Sequence, residues 1–331
     1  MNESKKFKAL IVEEDKENFN IKIGEKLIRD LPAGDVLIRV KYSSLNYKDA
    51  LSATGNKGVT RKYPHTPGID AAGVVDETSV NDFKVGDDVI VTGFDLGMNT
   101  SGGFGEYIRV PKEWVVKLPN GLSLRESMIY GTAGFTAALS LVKLEKNGLE
   151  KTDGEVLVTG ATGGVGSLAV AILSKAGYNV AAATGKIEKE NFLKSLGAKI
   201  ILKREEVDNS SGKALLETKW DGVIDTVGGN ILATAIKYTK YNGSVATCGL
   251  TQSPNLNSTV YPFILRGVNL LGIDSAHCDV NLRLKIWNKL TSEWKPEKLN
   301  LIYQECSLEE LKNKIDLILQ GKITGRIVVV L

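Results

Sequence analysis

The chain is poor in the residues that build metal sites and disulfides, and it carries no excess of one charge. Its 331 residues include three cysteines and two histidines. Cys248, Cys278 and Cys306 are odd in number and far apart, which argues against a disulfide framework. With only His65 and His277 beside them, no pair has metal-ligand spacing, and no metal is expected. The 42 basic and 39 acidic residues leave a net charge of +3. That balance provides no basic stripe for a nucleic-acid backbone and no attraction to an anionic membrane, so neither is expected as a partner. No uncharged apolar run reaches the roughly 18 residues of a transmembrane helix. The segment Met1 to Lys8 is charged and polar, unlike an apolar leader. A cytoplasmic location is the expectation. There is no internal repeat and no low-complexity segment.

What is present reads as two domains of ordinary globular composition, with 43% hydrophobic and 24% charged residues. The first part is strand-rich. Lys8 to Val12, Asp35 to Tyr42, Ala72 to Asp76, Asp88 to Thr92, Gly105 to Val110 and Trp114 to Leu118 are β-type runs, punctuated by Gly/Pro turns. Many short strands of this kind predict a compact β-barrel-like domain. From about Leu124 the period changes. A helical pattern covers Arg125 to Val142, and then strands and helices alternate. Strands are expected at 155–160, 179–184, 200–202, 222–226, 244–248 and 269–273. Helices are expected at 164–176, 188–196, 213–218 and 230–239. This alternation predicts right-handed crossovers and a doubly wound parallel sheet. A last helix, Leu308 to Leu319, precedes a closing strand, Arg326 to Leu331.

The join of strand and helix at Glu155 to Gly166 carries the most chemistry. An apolar run meets Gly160-Ala161-Thr162-Gly163-Gly164-Val165-Gly166, and Leu168, Ile172 and Leu173 continue an amphipathic helix. Glycines let backbone approach a pyrophosphate, and the free N–H groups of a helix start point at it. Thr162, Gly163, Gly164 and Val165 are the expected pyrophosphate contacts. Alanine replaces the first glycine of the usual fingerprint, but the flanking strand and helix are both in place. An NAD site would put an acid at the end of the next strand. Here Thr184, Gly185 and Lys186 stand there instead, with Arg204 as a second cation after the third strand. A hydroxyl and cations suit a 2′-phosphate, and the expected cofactor is NADP(H).

The strand-rich part must supply the substrate side. Two segments there are dense in polar groups, Ser43 to Leu51 and Pro67 to Val75. With Val85-Gly86-Asp87, Gly102 to Tyr107 and Gly131 to Ala137, they make the whole chain resemble the medium-chain dehydrogenase/reductase superfamily. More narrowly, Leu45-Asn46-Tyr47-Lys48-Asp49-Ala50-Leu51, Pro67-Gly68-Ile69-Asp70 and Pro262 to Val268 resemble the YhdH/YhfP-type quinone oxidoreductases, a group that includes NADPH-dependent acryloyl-CoA reductases. The resemblance implies an α/β fold with a GroES-like β-barrel domain at 1–127, a Rossmann domain at 128–273 and a segment at 274–331 returning to the first domain. It also implies a homodimer. In the zinc alcohol dehydrogenases of this superfamily a cysteine ligand stands at the position of Asn46 and a histidine at that of Ile69. Neither ligand is here, so reduction of an activated C=C replaces alcohol oxidation as the expected reaction.

On this reading Asn46 and Tyr47 are the candidate catalytic donors to a substrate carbonyl. Tyr47 is also a candidate cofactor contact; it either delivers a proton or packs on the nicotinamide. Asp49 is expected to cap the following helix. The resemblance adds Leu250, Ile273 and Arg326 as cofactor contacts, with a surface salt bridge as the other role for Arg326. Lys57, Arg61 and Lys62, on one loop, are candidates for CoA phosphates against a plain solvated loop. Three functions stay open: reduction of a short 2-enoyl thioester, NADPH:quinone reduction, and cofactor sensing without catalysis.

Overall fold

The structure, a computed structural model, describes residues 3–16, 18–151 and 154–331. The chain divides into two compact units. The first comprises Met1–Thr132, Ala276–Thr291 and Tyr303–Leu331; the second comprises Ala133–Ser275 and Ser292–Ile302. Thus 292–302, expected to return with the C-terminal segment, group with the Rossmann part.

In chain order the first unit opens with β1 (Lys6–Asp15) and β2 (Asn18–Leu27), an antiparallel hairpin. There follow β3 (Val36–Leu45), α1 (Tyr47–Ala53), β4 (Asp70–Thr78), β5 (Asp88–Thr92), β6 (Tyr107–Val110), β7 (Val115–Lys117) and α2 (Leu124–Lys146), of which the residues from Ala133 on belong to the second unit. Gly131 breaks α2 with φ +48°, so the helix runs as two pieces. The second unit holds β8 (Glu155–Val158), α3 (Gly164–Lys175), β9 (Asn179–Thr184), α4 (Glu190–Ser195), β10 (Ile200–Lys203), β11 (Trp220–Asp225), α5 (Gly229–Tyr238), β12 (Thr239–Thr247), α6 (Tyr261–Arg266) and β13 (Asn269–Gly272). The chain closes with α7 (Val280–Thr291), β14 (Tyr303–Ser307), α8 (Leu311–Leu319) and β15 (Arg326–Val330) in the first unit.

The second unit is a parallel six-stranded sheet of order β10-β9-β8-β11-β12-β13. Order reverses between β8 and β11, and such a switch point opens a crevice at the strands' C-terminal ends. Its strands are apolar runs because both faces are covered; Leu157, Ala181, Val223 and Val245 are buried in one core with Ile231 and Ile236 of α5. The first unit centres on the sheet β14-β15-β3-β4-β5-β7, with β6 also pairing β3. Antiparallel pairing sets Ile327 opposite Leu45, and β3 also pairs β4. The N-terminal ends of β15 and β4 therefore meet the C-terminal end of β3, where the polar residues lie. Among the described residues no helix is long and apolar enough to cross a membrane.

Residues 213–218 are not helical. Their backbone is held by tertiary bonds instead: Leu216 N–H to Lys237 O, Arg266 Nη2 to Leu216 O, and, just beyond, Lys219 N–H to Tyr238 O. Four elements that the sequence pattern did not predict are present among the described residues: β2, α6, α7 and β14.

Candidate functional site

In the second unit the glycine loop is a tight corner. Gly160 has φ +59°, and a methyl group there would stand 2.4 Å from Thr226 Oγ1. A methyl on Gly166 would lie 2.2 Å from Gly160 O, so α3 begins in direct contact with the end of β8. Gly163 is the N-cap of α3 and its own N–H donates to Gly160 O at 2.9 Å. Helix geometry leaves the N–H groups of Gly164, Val165 and Gly166 without intrahelical acceptors.

The end of β9 is tied to that loop. Thr162 Oγ1 and Thr184 Oγ1 lie 3.0 Å apart, and Lys186 N–H donates to Thr184 Oγ1 at 2.9 Å. The guanidinium of Arg204 covers Gly185; a methyl there would approach Arg204 Nη2 to 2.4 Å. Burial lowers the Lys186 ammonium below its ordinary pKa; Glu188 opposes this, and Lys189 and Arg204 add to it. A buried ammonium with cations beside it is relieved by an anion. The structure therefore brings Thr162, Gly163, Gly164, Val165, Thr184, Gly185, Lys186 and Arg204 to neighbouring strand ends of one sheet. Leu250 and Ile273 follow the C-terminal ends of β12 and β13, with Leu250 exposed and Ile273 N–H bonded to Thr247 O. The donor set fits a phosphorylated dinucleotide.

A residue of this sheet end that sequence reading missed is Asp225, fully buried at the end of β11. It accepts bonds from Thr159 Oγ1, Val227 N, Gly228 N and Thr247 Oγ1, and so ties β8 and β12 to β11. Burial raises its pKa despite those bonds. Nearby Cys248 donates to Asp225 O, and burial pushes its thiol up to about 12.

The first unit gathers its polar residues into a closed network. Asn46 caps α1, and Asp49 completes the capping box by accepting the Asn46 N–H at 2.7 Å. Asp49 Oδ1 also accepts the Ile69 N–H at 2.8 Å. Asp70 Oδ2 accepts Ser44 Oγ at 2.6 Å and Asn46 Nδ2 at 2.8 Å. Thr132 donates its N–H to both oxygens of Asp70 at 3.0 Å and its hydroxyl to Oδ1 at 2.6 Å. Only glycine fits at 131, because a methyl there would sit 2.5 Å from Asp70 Oδ2. Arg326 completes the set. Nε donates to Ile129 O, Nη1 to Leu45 O and Asn46 Oδ1, and Nη2 to Ser44 Oγ at 2.7 Å.

Two expectations change here. Arg326 is not a surface ion pair, because it is buried, and four of its five N–H groups donate within this network. Asn46 has no spare donor for a substrate, since Nδ2 reaches Asp70, Ser44 O and Asp49 while Oδ1 accepts from Arg326. Tyr47 differs from both. It is half-buried, and among the described residues its hydroxyl forms no hydrogen bond. Burial, reinforced by Asp70, pushes the Asp49 carboxyl up to about 7. The three-cation loop is also reduced. Lys57 binds Glu14 at 2.7 Å and lies over the rings of Phe19 and Tyr63, leaving Arg61 and Lys62 exposed.

The donors at this place do not suit zinc. A carboxamide whose oxygen is taken and an aliphatic Ile69 offer neither thiolate nor imidazole. His65 is buried, with Nε2 2.9 Å from Gly97 O. Among the described residues no group of three or more His, Cys, Asp or Glu could hold a metal ion.

Comparison with known proteins fits this arrangement. Residues 32–120 match the alcohol dehydrogenase GroES-like domain, and residues 164–284 match the family described as zinc-binding dehydrogenase. The YhfP protein of Bacillus subtilis, named a quinone oxidoreductase, is 47% identical over 324 residues, 98% of each chain. Its crystal structure with NAD bound superposes with a TM-score of 0.96, covering 99% of this chain and 100% of that one. The acrylyl-CoA reductase AcuI of Ruegeria pomeroyi is 44% identical over 98% of each chain. The YhdH oxidoreductase of Salmonella enterica, in complex with NADP, gives a TM-score of 0.95 at 43% identity, covering 98% and 99%. A Rossmann unit and a GroES-like unit in one chain define an oxidoreductase of the dehydrogenase/reductase kind. The chain belongs to the medium-chain dehydrogenase/reductase family, in the branch that contains YhfP, YhdH and AcuI.

Proposed function

We propose that the protein is an NADPH-dependent reductase of the activated C=C bond of a short 2-enoyl thioester such as acryloyl-CoA. The observation that carries the reading is the closed bonding of Asn46. Where an alcohol dehydrogenase needs metal ligands, this chain has a carboxamide locked between Asp70 and Arg326. Without thiolate or imidazole to seat a Lewis acid, the reaction left is one whose negative charge a hydrogen-bond donor can stabilise, the enolate of a conjugated carbonyl.

When bound, NADPH supplies the hydride for the substrate's β-carbon. The protein's part is to bind, orient and protonate. Thr162 to Val165 would hold the pyrophosphate at the start of α3, and Thr184, Gly185, Lys186 and Arg204 the 2′-phosphate. Leu250 and Ile273 would pack beside the nicotinamide. The Tyr47 hydroxyl donates to the carbonyl oxygen or gives its proton to the α-carbon, directly or through water. Asn46 serves by holding the turn before Tyr47.

Quinone reduction by NADPH is the second reading. It is favoured by the engagement of Lys57 with Glu14, which leaves only two of the three loop cations for CoA phosphates. NADPH oxidation followed at 340 nm with acryloyl-CoA and with a quinone, and with NADH as control, separates them. Turnover of acryloyl-CoA at least tenfold above the quinone is the expected result; the reverse ratio would overturn the thioester reading. A cofactor sensor would turn over neither.

We further propose a homodimer in the cytoplasm. Val260, Tyr261, Ile264 and Leu265 stand exposed on and beside α6, and among the described residues β13 lies at the edge of its sheet. An exposed apolar patch beside an open edge suits a second copy. Light scattering should give twice the chain mass, and Ile264→Asp/Leu265→Asp should halve it.

A further inference from the structure

Arg326 makes an unusual pattern of bonds. Its guanidinium contacts three successive residues at the end of β3: Ser44 through Oγ, Leu45 through O and Asn46 through Oδ1. The opposite side of the same turn is held by carboxylates, Asp70 on Ser44 Oγ and Asn46 Nδ2, and Asp49 on the Asn46 N–H. The next residue is Tyr47, whose hydroxyl forms no hydrogen bond among the described residues. A backbone fixed from both sides thus ends in one unspent polar group. Structural economy does not require this. The end of β3 already has ladder bonds to β15, and Arg326 adds a buried cation on top of them.

We propose that Arg326 is the positioning residue of this site. With Asp70, its guanidinium clamps Asn46 and so aims the Tyr47 hydroxyl. The role of Asn46 follows from its shape. A carboxamide presents an acceptor to a guanidinium and a donor to a carboxylate from one planar group. A cysteine at 46 could do neither job well, and an aspartate would set a third carboxylate against Asp49 and Asp70. The inference rests on the proposed reductase reading only for its turnover arm; the orientation of Tyr47 is measurable without any substrate.

The test uses the full chain with 3-fluorotyrosine placed at position 47. Arg326→Met, Arg326→Met/Asp70→Asn and Arg326→Lys are compared with the unmutated chain by ¹⁹F resonance, by NADPH affinity from fluorescence, and by kcat and KM with acryloyl-CoA. The double variant removes one charge of each sign and leaves the net charge of the site unchanged, so it guards against misfolding of the single one. The expected result is a shifted or broadened Tyr47 resonance in the double variant, NADPH affinity within about threefold of the original, and kcat reduced about 100-fold, the scale of a misplaced reacting group. Arg326→Lys should recover part of both the signal and kcat, because it keeps the cation and loses the fork. An unchanged Tyr47 resonance in the folded double variant overturns the proposal, as does an unchanged kcat. If both charge-removing variants fail to fold, an unaltered resonance and kcat in Arg326→Lys overturn it in the same way. If the unmutated chain reduces neither acryloyl-CoA nor a quinone, the function reading fails while the ¹⁹F comparison still decides the clamp.

Discussion

Arg326 Nη2 stands 3.7 Å from Asp70 Oδ2, and both side chains are almost wholly buried. Ser44 Oγ lies between them, donating to Asp70 at 2.6 Å and accepting from Arg326 at 2.7 Å. Burial pulls the guanidinium below its ordinary pKa, and the neighbouring carboxylates Asp70 and Asp49 pull it back up. A buried pair of this kind is weak evidence for net stability, yet removing one member leaves an uncompensated charge. Arg326→Met should therefore destabilise the protein by about 3–5 kcal/mol. Arg326→Met/Asp70→Asn should cost clearly less than the sum of the two single changes. Urea melts of the four proteins give the coupling energy, and simple additivity would show that the pair does not interact.

The fold was readable where local pattern and burial agree. The parallel strands are short apolar runs bounded by turns, and 179–184 was read at its observed bounds. β2 carried a readable signal, Phe19, Ile21 and Ile23 in alternation, but these residues are only partly buried and polar residues dilute the run. In α7 the buried positions Arg283, Ile286, Trp287 and Leu290 follow a helical period, and the buried arginine disguises the face. The site was half readable. Asn46 and Asp70 lie in recognisable motifs, but the bonds that define them span 24 residues from Asn46 to Asp70 and 280 from Asn46 to Arg326. Nothing local to Gly325-Arg326-Ile327 indicates that this arginine is drawn inside. The pairing of β15 with β3 does that, and topology is not a local property.

Asp49 gives the stability a pH dependence of known sign. An ordinary aspartate titrates near 3.9 in the unfolded chain, and in the fold this one is raised to about 7. Between those values the folded protein holds a proton that the unfolded chain has released. Its contribution is thus fully present below about pH 4 and is lost as pH rises toward 7, by at most about 1.4 kcal/mol per pH unit. Above 7 the curve should flatten. Asp49→Asn removes the titration but also loses an acceptor for Asn46, so it should be less stable at acid pH and approach the original protein as pH rises. Urea melts at pH 5, 6, 7 and 8 compare the two, and a constant difference across that range would contradict the assignment.

Gly166 tests the contact between α3 and the end of β8. With a methyl only 2.2 Å from Gly160 O, Gly166→Ala must push the helix start away from the loop. Overpacking of this kind costs about 1–3 kcal/mol. The larger effect should fall on the cofactor, because the helix N–H groups would no longer point where Gly163 sets them. NADPH affinity should fall more than tenfold while the first unit, which does not contain this residue, keeps its near-ultraviolet circular dichroism. Fluorescence titration with NADPH measures the loss, and an unchanged affinity would mean that the corner does not hold the pyrophosphate.

Lys186 and Arg204 make the sharpest test of which dinucleotide is held. Both lie at the ends of adjacent strands β9 and β10, and burial, with Arg204 and Lys189 adding to it, makes the Lys186 positive charge less favourable. Charge-assisted bonds to a phosphate contribute about 1.5–3 kcal/mol each, which is roughly a 10- to 100-fold change in affinity. NADH lacks the 2′-phosphate, so it meets neither cation through that group. Lys186→Ala and Arg204→Ala should each raise KM for NADPH by that factor and leave KM for NADH within about threefold. The double substitution should bring the two cofactors close to parity. Lys186→Glu should go further, because an acid at this position repels a phosphate and can accept from a ribose 2′-hydroxyl. Steady-state rates with both cofactors at several concentrations measure these ratios. A parallel loss with NADPH and NADH would show that the two cations support the strand ends rather than select the phosphate.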